Sequence, residues 1–532
     1  MNSYKPTIRQ ELAKRLLCLS FFAFLPCLLS AQTIVKGGCM PDLEVNAPQG
    51  RRVQKRLPAI NQTWDSTRIY KQLVVLLQFK GDSTYFKTEK PRELYDSLFN
   101  VPGYHQRNGA GCVADYFKCQ SNGLFNLEFD VYGPYTVSKK SQPIENPNKE
   151  TRNYGKDALA EATQLFLADH PEIDYSQYDW NGNGHMNQIL FVYAGYTGNM
   201  SSEKSYGHIW PHTSSYSTIT TPDKIEISNY TASAELWVND TSCGIGTICH
   251  EFSHSLGLPD IYPPNQWLYS AVDEWDLMDG GNFTNFGWCP PNYSPQEKMA
   301  MGWLKPIELT EPASIIGLKS IADEGEIYII KHTDEEYYLL ENRQWKGFDY
   351  GLPGKGLLIW HILYRPDEWS SNTPNNTNGE LHYELVNADN MKYADWDNLL
   401  KIRGAKSVYL EKNRLHNLHF STSAYPWTTD STEMVNDSLT NFSIPAAKMI
   451  TQNEAGDSLL SKPITNISMS PDGLISFNFM GGDPAILGVK EHFTDRKVAL
   501  FYDFSGRLLQ RTARRGLFII KREDGKTIKV IK

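Results

Sequence analysis

Two kinds of hydrophobic pattern recur along the N-terminal half of the chain and predict strands and helices in turn. Continuous apolar runs at Gln72–Phe79 and Gln188–Tyr196 predict strands that are buried on both faces. The run Leu124–Val137 predicts a further strand. Apolar residues at helical spacing predict helices over Lys156–Ala168 and Ser242–Leu256. Strands mixed with helices in this way indicate one α/β unit.

The pattern changes after this unit, and the change predicts several domains. Short strands separated by Asn, Pro, Gly and Asp turns follow from Ile307 to Phe479, which is typical of a β-sandwich-like domain. The fold class is therefore an α+β multidomain protein. The predicted divisions are a signal peptide (1–31), a short propeptide or leader (32–56), the α/β domain (57–305), the β-rich sandwich-like domain (306–481) and a small β-rich C-terminal tail (482–532).

The first residues have the layout of a secretory signal peptide. Four basic residues precede the apolar run Leu16–Leu29, and small residues up to Ala31 follow it, which predicts cleavage after Ala31. A membrane-spanning helix needs about 20 apolar residues, and this run is shorter. We therefore expect export from the cytoplasm without a stable membrane span.

The charge of the chain and the spacing of its cysteines indicate which partners and which disulfide bonds are to be expected. The chain carries a formal charge of -9 although both of its ends are basic, and an acidic body argues against a nucleic-acid partner. If the residues between Cys112 and Cys119 are helical, these cysteines lie about 10 Å apart, which is too far for a disulfide bond. No obligatory disulfide is expected.

The segment "HEFSHSLGLPD" combines the residues that a catalytic zinc ion needs. His250 and His254 are spaced i and i+4 on one helix face, so both imidazoles can reach one tetrahedral Zn²⁺. Glu251 lies beside them, where a general base can contact a metal-bound water. Gly257 can end the helix in the left-handed conformation. Asp260 can then return as the third ligand and leave the fourth position open.

A methionine turn follows this segment. Met278 lies in "EWDLMDGG", a tight turn closed by two glycines, and a methionine beneath a His-ligated zinc forms a soft apolar floor. After an HExxHxxGxxD motif, this turn predicts the Met-turn of a metzincin. His208 and His212 share the i, i+4 spacing, but Pro211 breaks a helix between them. They are predicted to be structural or substrate-cleft residues and not metal ligands.

A second loop, "DWNGNGHMN", has the spacing of a calcium-binding loop, with Gly184 at the position of the sharp turn. It holds one carboxylate and no glutamate at position twelve, so a weak site is expected. A plain Asn-Gly turn before a strand is the alternative. The predicted calcium ligands are Asp179, Asn181, Asn183, Asn187 and the backbone carbonyl of His185.

These motifs resemble the immune-inhibitor-A-like secreted metallopeptidases over about residues 70–400. The likeness also includes "GAGCVADYFKCQSNGLF", "HIWPH" and "YYLLENRQWKGFDYGLPGKGLLIWHI". The resemblance implies a metzincin-like catalytic domain and a zinc-dependent endopeptidase that cleaves protein or peptide substrates. By position, it implies that His250, His254 and Asp260 are the zinc ligands, Glu251 the base and Met278 the Met-turn residue.

Two further resemblances concern latency and export. Cys39, in "GGCMPD", resembles the thiolate that blocks zinc in some metzincin zymogens, although a leader cysteine without such a role fits as well. The tail resembles the C-terminal sorting domains of type IX secretion cargo. That resemblance implies a secreted or cell-surface protein whose tail contacts the secretion machinery, and a closing hairpin of the preceding domain is the alternative.

An alternative function belongs to another class of protein. A surface adhesin or glycan-binding protein could keep a vestigial or structural zinc site and use the aromatic residues of the β-rich region. These tryptophans are Trp345, Trp360, Trp369, Trp396 and Trp427. Aromatic residues in such a region also form cores, so the sequence leaves both interpretations open and favours the peptidase.

Overall fold

The structure is a computed structural model. It describes residues 63–141, 151–198, 209–237, 240–263, 270–376, 380–395, 398, 420–428, 434–483, 500–502, 508–509, 517–521 and 527–531. The predicted signal peptide, the predicted leader with Cys39, and His208 lie outside the described residues.

Helices and strands alternate first, and strands dominate later. The helices are α1 (Pro91–Asn100), α2 (Val113–Gln120), α3 (Thr151–Asp169), α4 (Gly246–Leu256), α5 (Pro295–Ala300) and α6 (Pro366–Ser370). The strands are β1 (Ile69–Phe79), β2 (Asn126–Val137), β3 (Ile189–Tyr196), β4 (His212–Thr220), β5 (Glu226–Leu236), β6 (Ile307–Glu308), β7 (Ala313–Leu318), β8 (Tyr328–Lys331), β9 (Glu336–Arg343), β10 (Gly356–Leu363), β11 (Tyr383–Leu385), β12 (Trp427–Thr428), β13 (Met434–Asn436), β14 (Ile464–Met469), β15 (Ile475–Phe479), β16 (Leu500–Tyr502), β17 (Leu508–Leu509), β18 (Leu517–Lys521) and β19 (Thr527–Ile531).

The first sheet has the strand order β2-β1-β3-β5-β4. Its inner pairs are parallel, whereas β4 runs antiparallel to β5 at the edge. Successive residues of β1 enter different cores: Val74 packs in the core that holds Phe252 of α4, and Leu73 in the core that holds Phe166 of α3. Helices therefore cover both faces of the sheet, which explains why its central strands are apolar on both sides. This mixed α/β arrangement agrees with the sequence.

The predicted strands in this unit and the helix over Lys156–Ala168 are present, but α4 begins four residues later than predicted. Ser242 pairs with Leu236, and the Cys243 backbone N–H donates to the carbonyl of Glu235. Gly244 then adopts a left-handed conformation with a φ of 68°. This local sheet pairing and turn prevent a helix from starting at Ser242.

Three sheets form between residues 307 and 479 of the described chain, one of them the two-stranded pair β12-β13. The larger of the other two, hereafter the second sheet, has the order β11-β10-β9-β8-β6, and the smaller has the order β14-β15-β7. Neighbouring residues of β9 face opposite ways: Leu340 packs in the core shared with the smaller sheet, and Leu339 packs in the core that contains Phe252 and Met278. The larger sheet is therefore buried on both faces, and the division predicted at residue 305 separates segments that share one hydrophobic core.

The C-terminal strands form a four-stranded sheet of order β17-β16-β18-β19. All of its pairs are antiparallel. Across the part of the chain that the structure describes, no helix is both long enough and apolar enough to span a bilayer.

Candidate metal centre

Helix α4 carries the two histidines of the motif on one buried face. The rings of His250 and His254 have centroids 4.9 Å apart and are nearly perpendicular, at 88°. The helix ends at Gly257, whose φ of 105° lies in the left-handed region. The chain turns sharply there, and the turn brings Asp260 back to the histidines.

Three potential ligand atoms converge at this point. Asp260 Oδ1 lies 3.2 Å from His250 Nε2 and 3.1 Å from His254 Nε2. The three side chains are at least 98 % buried. Among the residues that the structure describes, this is the one group of three or more His, Cys, Asp or Glu side chains with ligand atoms within 4.8 Å of one another.

The other ring nitrogens fix the orientation of both imidazoles. His250 Nδ1 lies 2.8 Å from the carbonyl oxygen of Leu277, and His254 Nδ1 lies 2.7 Å from that of Leu258. A carbonyl oxygen only accepts, so each Nδ1 carries the proton. In the neutral ring, each Nε2 then presents a lone pair toward Asp260, as a metal ligand must.

The site fits a zinc ion. His250 Nε2 and Asp260 Oδ1 are buried without a hydrogen-bond partner despite their short separation. Burial opposes ionisation of Asp260, but the two adjacent imidazoles, in their protonated form, outweigh it and hold the pKa of this carboxyl well below its usual range. Two imidazole nitrogens and one carboxylate oxygen form a donor set that suits Zn²⁺ and leaves a fourth position for water.

Asn372 holds the third ligand and was not predicted from the sequence. Its Nδ2 donates to Asp260 Oδ2 at 2.7 Å, and its Oδ1 accepts from the Asp260 backbone N–H at 2.6 Å. The two residues lie 112 positions apart. No sequence motif pairs them, because the contact depends on how the second sheet packs against the first unit.

Glu251 is buried beside the histidines. Its Oε1 has no hydrogen-bond partner, and its Oε2 lies 3.4 Å from the hydroxyl of Thr213 on the edge strand β4. The Thr213 hydroxyl donates its proton to the backbone carbonyl of Glu251, which ties this turn of the helix to the sheet. One carboxylate oxygen therefore lies next to the sheet and the other is unpaired, an arrangement suited to a proton acceptor.

The methionine turn supports the helix from the other side. Met278 is fully buried, and its backbone N–H donates to Asp276 Oδ1 at 2.7 Å. The carbonyl of the preceding residue, Leu277, is the one that accepts from His250. Tyr383 of β11 donates to Asp276 Oδ2 at 2.7 Å. The turn thus links the first histidine to the second sheet.

The remaining predicted residues lie elsewhere. His212 uses both ring nitrogens, one with the Trp210 carbonyl and one with the Tyr230 hydroxyl, each at 2.7 Å. Both of its ring nitrogens therefore contact protein groups, and its assignment as a structural or substrate-cleft residue remains a prediction. The five described cysteines, Cys112, Cys119, Cys243, Cys249 and Cys289, are free thiols in the structure.

The loop predicted to bind calcium folds as a tight turn before β3. Asp179 Oδ2 accepts from the Gly184 N–H at 2.7 Å, while Oδ1 is buried without a partner. Asn183 and Asn187 each accept one backbone N–H from within the loop. Asn181 and His185 are exposed. The calcium site remains a prediction.

The first unit is similar in sequence to the catalytic domain of a peptidase family. Residues 70–302 match the family described as "Immune inhibitor A peptidase M6, catalytic domain". The matched residues include the HExxH helix, Asp260 and the methionine turn. The family resemblance seen in the motifs is confirmed for this part of the chain, whereas the resemblance of the tail to sorting domains remains a prediction.

Curated relatives share part of the chain. It is 26% identical to "Immune inhibitor A" of Bacillus thuringiensis subsp. alesti over 275 residues, which is 43% of this chain and 39% of the relative. It is 23% identical to "Pre-pro-metalloprotease PrtV" of Vibrio cholerae serotype O1 over 249 residues, which is 41% of this chain and 26% of the relative. The chain thus spans well under half of the length of these relatives.

Proposed function

We propose that this protein is a zinc-dependent endopeptidase that hydrolyses peptide bonds of protein substrates. The convergence of three buried ligand atoms, from His250, His254 and Asp260, supports this proposal most strongly. The unpaired Glu251 Oε1 beside them supports a hydrolytic role, because a structural zinc site does not need an adjacent base. The similarity to a peptidase family favours the same chemistry.

The protein's own groups act on the proton and on orientation. When bound, zinc supplies a Lewis acid that lowers the pKa of its water and polarises the scissile carbonyl. Glu251 accepts the proton of the attacking water at Oε1 and returns it to the leaving amine. Thr213 keeps the opposite carboxylate oxygen against the sheet while this proton moves. The buried surroundings strengthen these interactions by excluding water.

The edge strand β4 favours an extended polypeptide as the substrate. It is the outermost strand of the described first sheet, and its residue Thr213 contacts Glu251. An extended chain can add to such an edge through backbone hydrogen bonds, largely independent of its side chains. We propose that β4 aligns the substrate along the site, which fits cleavage within proteins.

Glu251→Gln tests the hydrolytic mechanism. The substitution keeps the shape of the side chain and removes the base, so casein hydrolysis should fall by about 10²–10⁴-fold. The variant should retain the zinc stoichiometry and melting temperature of the unmutated protein. Glu89→Gln, the same change at an exposed position, serves as the control. Hydrolysis by Glu251→Gln at the unmutated rate would contradict the proposal.

We also propose that the loop Asp179–Asn187 binds calcium weakly. The buried and unpartnered Asp179 Oδ1 supports this assignment. Calcium should raise the melting temperature of the unmutated protein and leave that of Asp179→Ala unchanged. An equal response of both proteins, or of neither, would show that the loop is an ordinary turn.

Export and latency complete the proposal. The N-terminal pattern favours a signal peptide, and the basic tail favours type IX sorting to the exterior or the cell surface. Deletion of residues 488–532 should then leave the protein in the periplasm.

If Cys39 blocks the zinc, Cys39→Ala should activate the uncleaved precursor, and unchanged latency would exclude this role.

The glycan-binding alternative gains little from the structure. Trp360 and Trp369 are buried in the core next to Tyr383. Trp345 is half exposed, but the Lys355 ammonium lies over its ring, 5.0 Å from the ring centroid. Trp427 packs against the core of the smaller sheet, and Trp396 lies outside the described residues. Hydrolysis that is sensitive to chelators would separate the two functions directly.

A further inference from the structure

Three described residues that follow helix α6 bind groups in or next to the metal centre, and of these only Asn372 binds a ligand residue. Asn372 binds Asp260, and Asn375 Nδ2 donates to the carbonyl of Ile261 at 2.7 Å. Tyr383 donates to Asp276 in the methionine turn. These residues lie beyond residue 302, where the match to the peptidase catalytic domain ends. The metal centre is therefore completed by a part of the chain outside the recognised catalytic unit.

Asn372 controls which carboxylate oxygen of Asp260 faces the histidines. One amide group binds both the backbone N–H and the Oδ2 atom of Asp260, so the side chain of Asp260 is held at two points. Only Oδ1 remains for the histidine Nε2 atoms. Because Asn372 is 96 % buried, water does not compete for this contact.

The backbone explains why asparagine occupies this position. Residue 372 has a φ of 58°, and its N–H donates to the Trp369 carbonyl while the N–H of Thr373 donates to that of Glu368. These two bonds form a Schellman cap at the end of α6, which requires a left-handed residue. Glycine and asparagine fill that position most readily, and only asparagine also supplies the amide group.

We propose that Asn372 is the positioning residue of the metal centre, holding Asp260 so that only Oδ1 faces the histidines and coupling zinc affinity to the packing of the second sheet. The proposal rests on the proposed zinc site. Partners of metal ligands typically contribute 10- to 100-fold to metal affinity. Asn372 acts through Asp260 and is not assigned any contact with substrate.

Asn372→Gly is the main test, because glycine keeps the left-handed cap and removes only the amide group. Zinc affinity, measured by competition with a chromogenic chelator, should fall about 10- to 100-fold. Asn372→Asp also tolerates this backbone conformation, but it replaces the donor with a carboxylate 2.7 Å from Asp260 Oδ2. It should weaken zinc binding at least as much.

Asn375→Ala is the matched control, because it removes hydrogen bonds from the same segment and leaves Asp260 held. It should lower the melting temperature of the zinc-free protein but change zinc affinity less than about threefold, well under the effect expected of a ligand's partner. An unchanged zinc affinity in Asn372→Gly would overturn the proposal, as would equal losses of affinity in Asn372→Gly and Asn375→Ala. If the unmutated protein binds zinc but does not cleave casein, the proposed function fails while this inference stands.

Discussion

At the scale of the residue, each ligand side chain in the candidate centre uses one polar atom to bind the protein and leaves another for the metal. His250 and His254 each use Nδ1 to hold a backbone carbonyl and keep Nε2 for the metal. Asp260 uses Oδ2 to hold Asn372 and keeps Oδ1. Every ligand is therefore oriented before a metal binds, and little conformational entropy is lost on binding.

Thr213 orients the proposed base and offers a second test at this scale. Thr213→Val keeps the shape of the side chain and removes the hydroxyl next to Glu251 Oε2. We expect hydrolysis to fall about tenfold with unchanged zinc content, because a mobile base spends less time in the reactive position. Thr163→Val, which removes a buried hydroxyl that donates to the Leu159 carbonyl away from Glu251, is the control. Equal activities of the two variants would remove Thr213 from the mechanism.

At the scale of the element, helix α4 can reach its position only because its first residue is glycine. A Cβ atom at Gly246 would lie 2.0 Å from the carbonyl oxygen of Asn282, which is a backbone atom and cannot turn aside. At Gly155, within α3, a Cβ atom would lie 3.5 Å from Ile209, which is an ordinary contact. There is thus no room for a Cβ atom at Gly246, whereas there is room for one at Gly155.

The two glycines should respond oppositely to alanine. Gly246→Ala should lower the free energy of unfolding by about 1–3 kcal/mol, because the helix must move away from the turn. Gly155→Ala should raise it by about 0.5–1 kcal/mol, because alanine has the higher helix propensity. Thermal or denaturant unfolding measures both. A stabilised Gly246→Ala protein would mean that α4 and the methionine turn separate more easily than their packing indicates.

The sequence predicts those parts of the site that depend on local spacing. The i, i+4 histidines, the left-handed Gly257 and the return of Asp260 all follow from one short segment, and the structure brings them together. Asn372 and Thr213 could not be found in this way. Both residues are far from the motif in the sequence and contact it only through tertiary packing. No sequence pattern identifies an asparagine or a threonine as the partner of a distant ligand or base.

At the scale of the whole molecule, a buried arginine joins the first unit to the second sheet. Arg343 of β9 binds Asp349 through two nitrogens at 2.8 Å, and it also binds Glu341 and the carbonyl of Asn292. All three charged groups are fully buried. A buried arginine is tolerated only when its donors are paired. Because these partners come from both parts of the chain, the two parts must fold together to satisfy it. This explains how a residue of the second part can control the metal centre.

A buried ion pair within the second part predicts how stability varies with pH. Glu336 accepts from His361 Nε2 at 2.7 Å and from the backbone N–H groups of Ile450 and Thr451. Burial alone would raise the pKa of Glu336, but these donors outweigh it and lower the pKa to about 2. Burial likewise opposes the charged form of His361, and Glu336 and Glu384 outweigh it and raise its pKa.

The signs of these shifts define the pH range in which the pair stabilises the fold. The contribution of Glu336 is present above its unfolded pKa of about 4.5 and is lost as the pH falls toward 2. That of His361 is complete below its unfolded pKa of about 6.5 and is lost as the pH rises through the raised value. The pair therefore contributes most between about pH 4.5 and 6.5.

Glu336→Gln should reveal this dependence in thermal unfolding followed from pH 3 to pH 6. We expect the variant to be less stable by about 2–3 kcal/mol near pH 5.5, because the buried imidazolium loses its nearest carboxylate. The difference should shrink toward pH 3, because below about pH 4.5 the unfolded state of the unmutated protein binds a proton at Glu336 that the folded state does not. Glu335→Gln, an exposed neighbour paired with Arg365, should show a small difference that does not vary with pH. If the deficit of Glu336→Gln stays constant over this range, the pair stabilises the fold through shape and hydrogen bonding, not through charge.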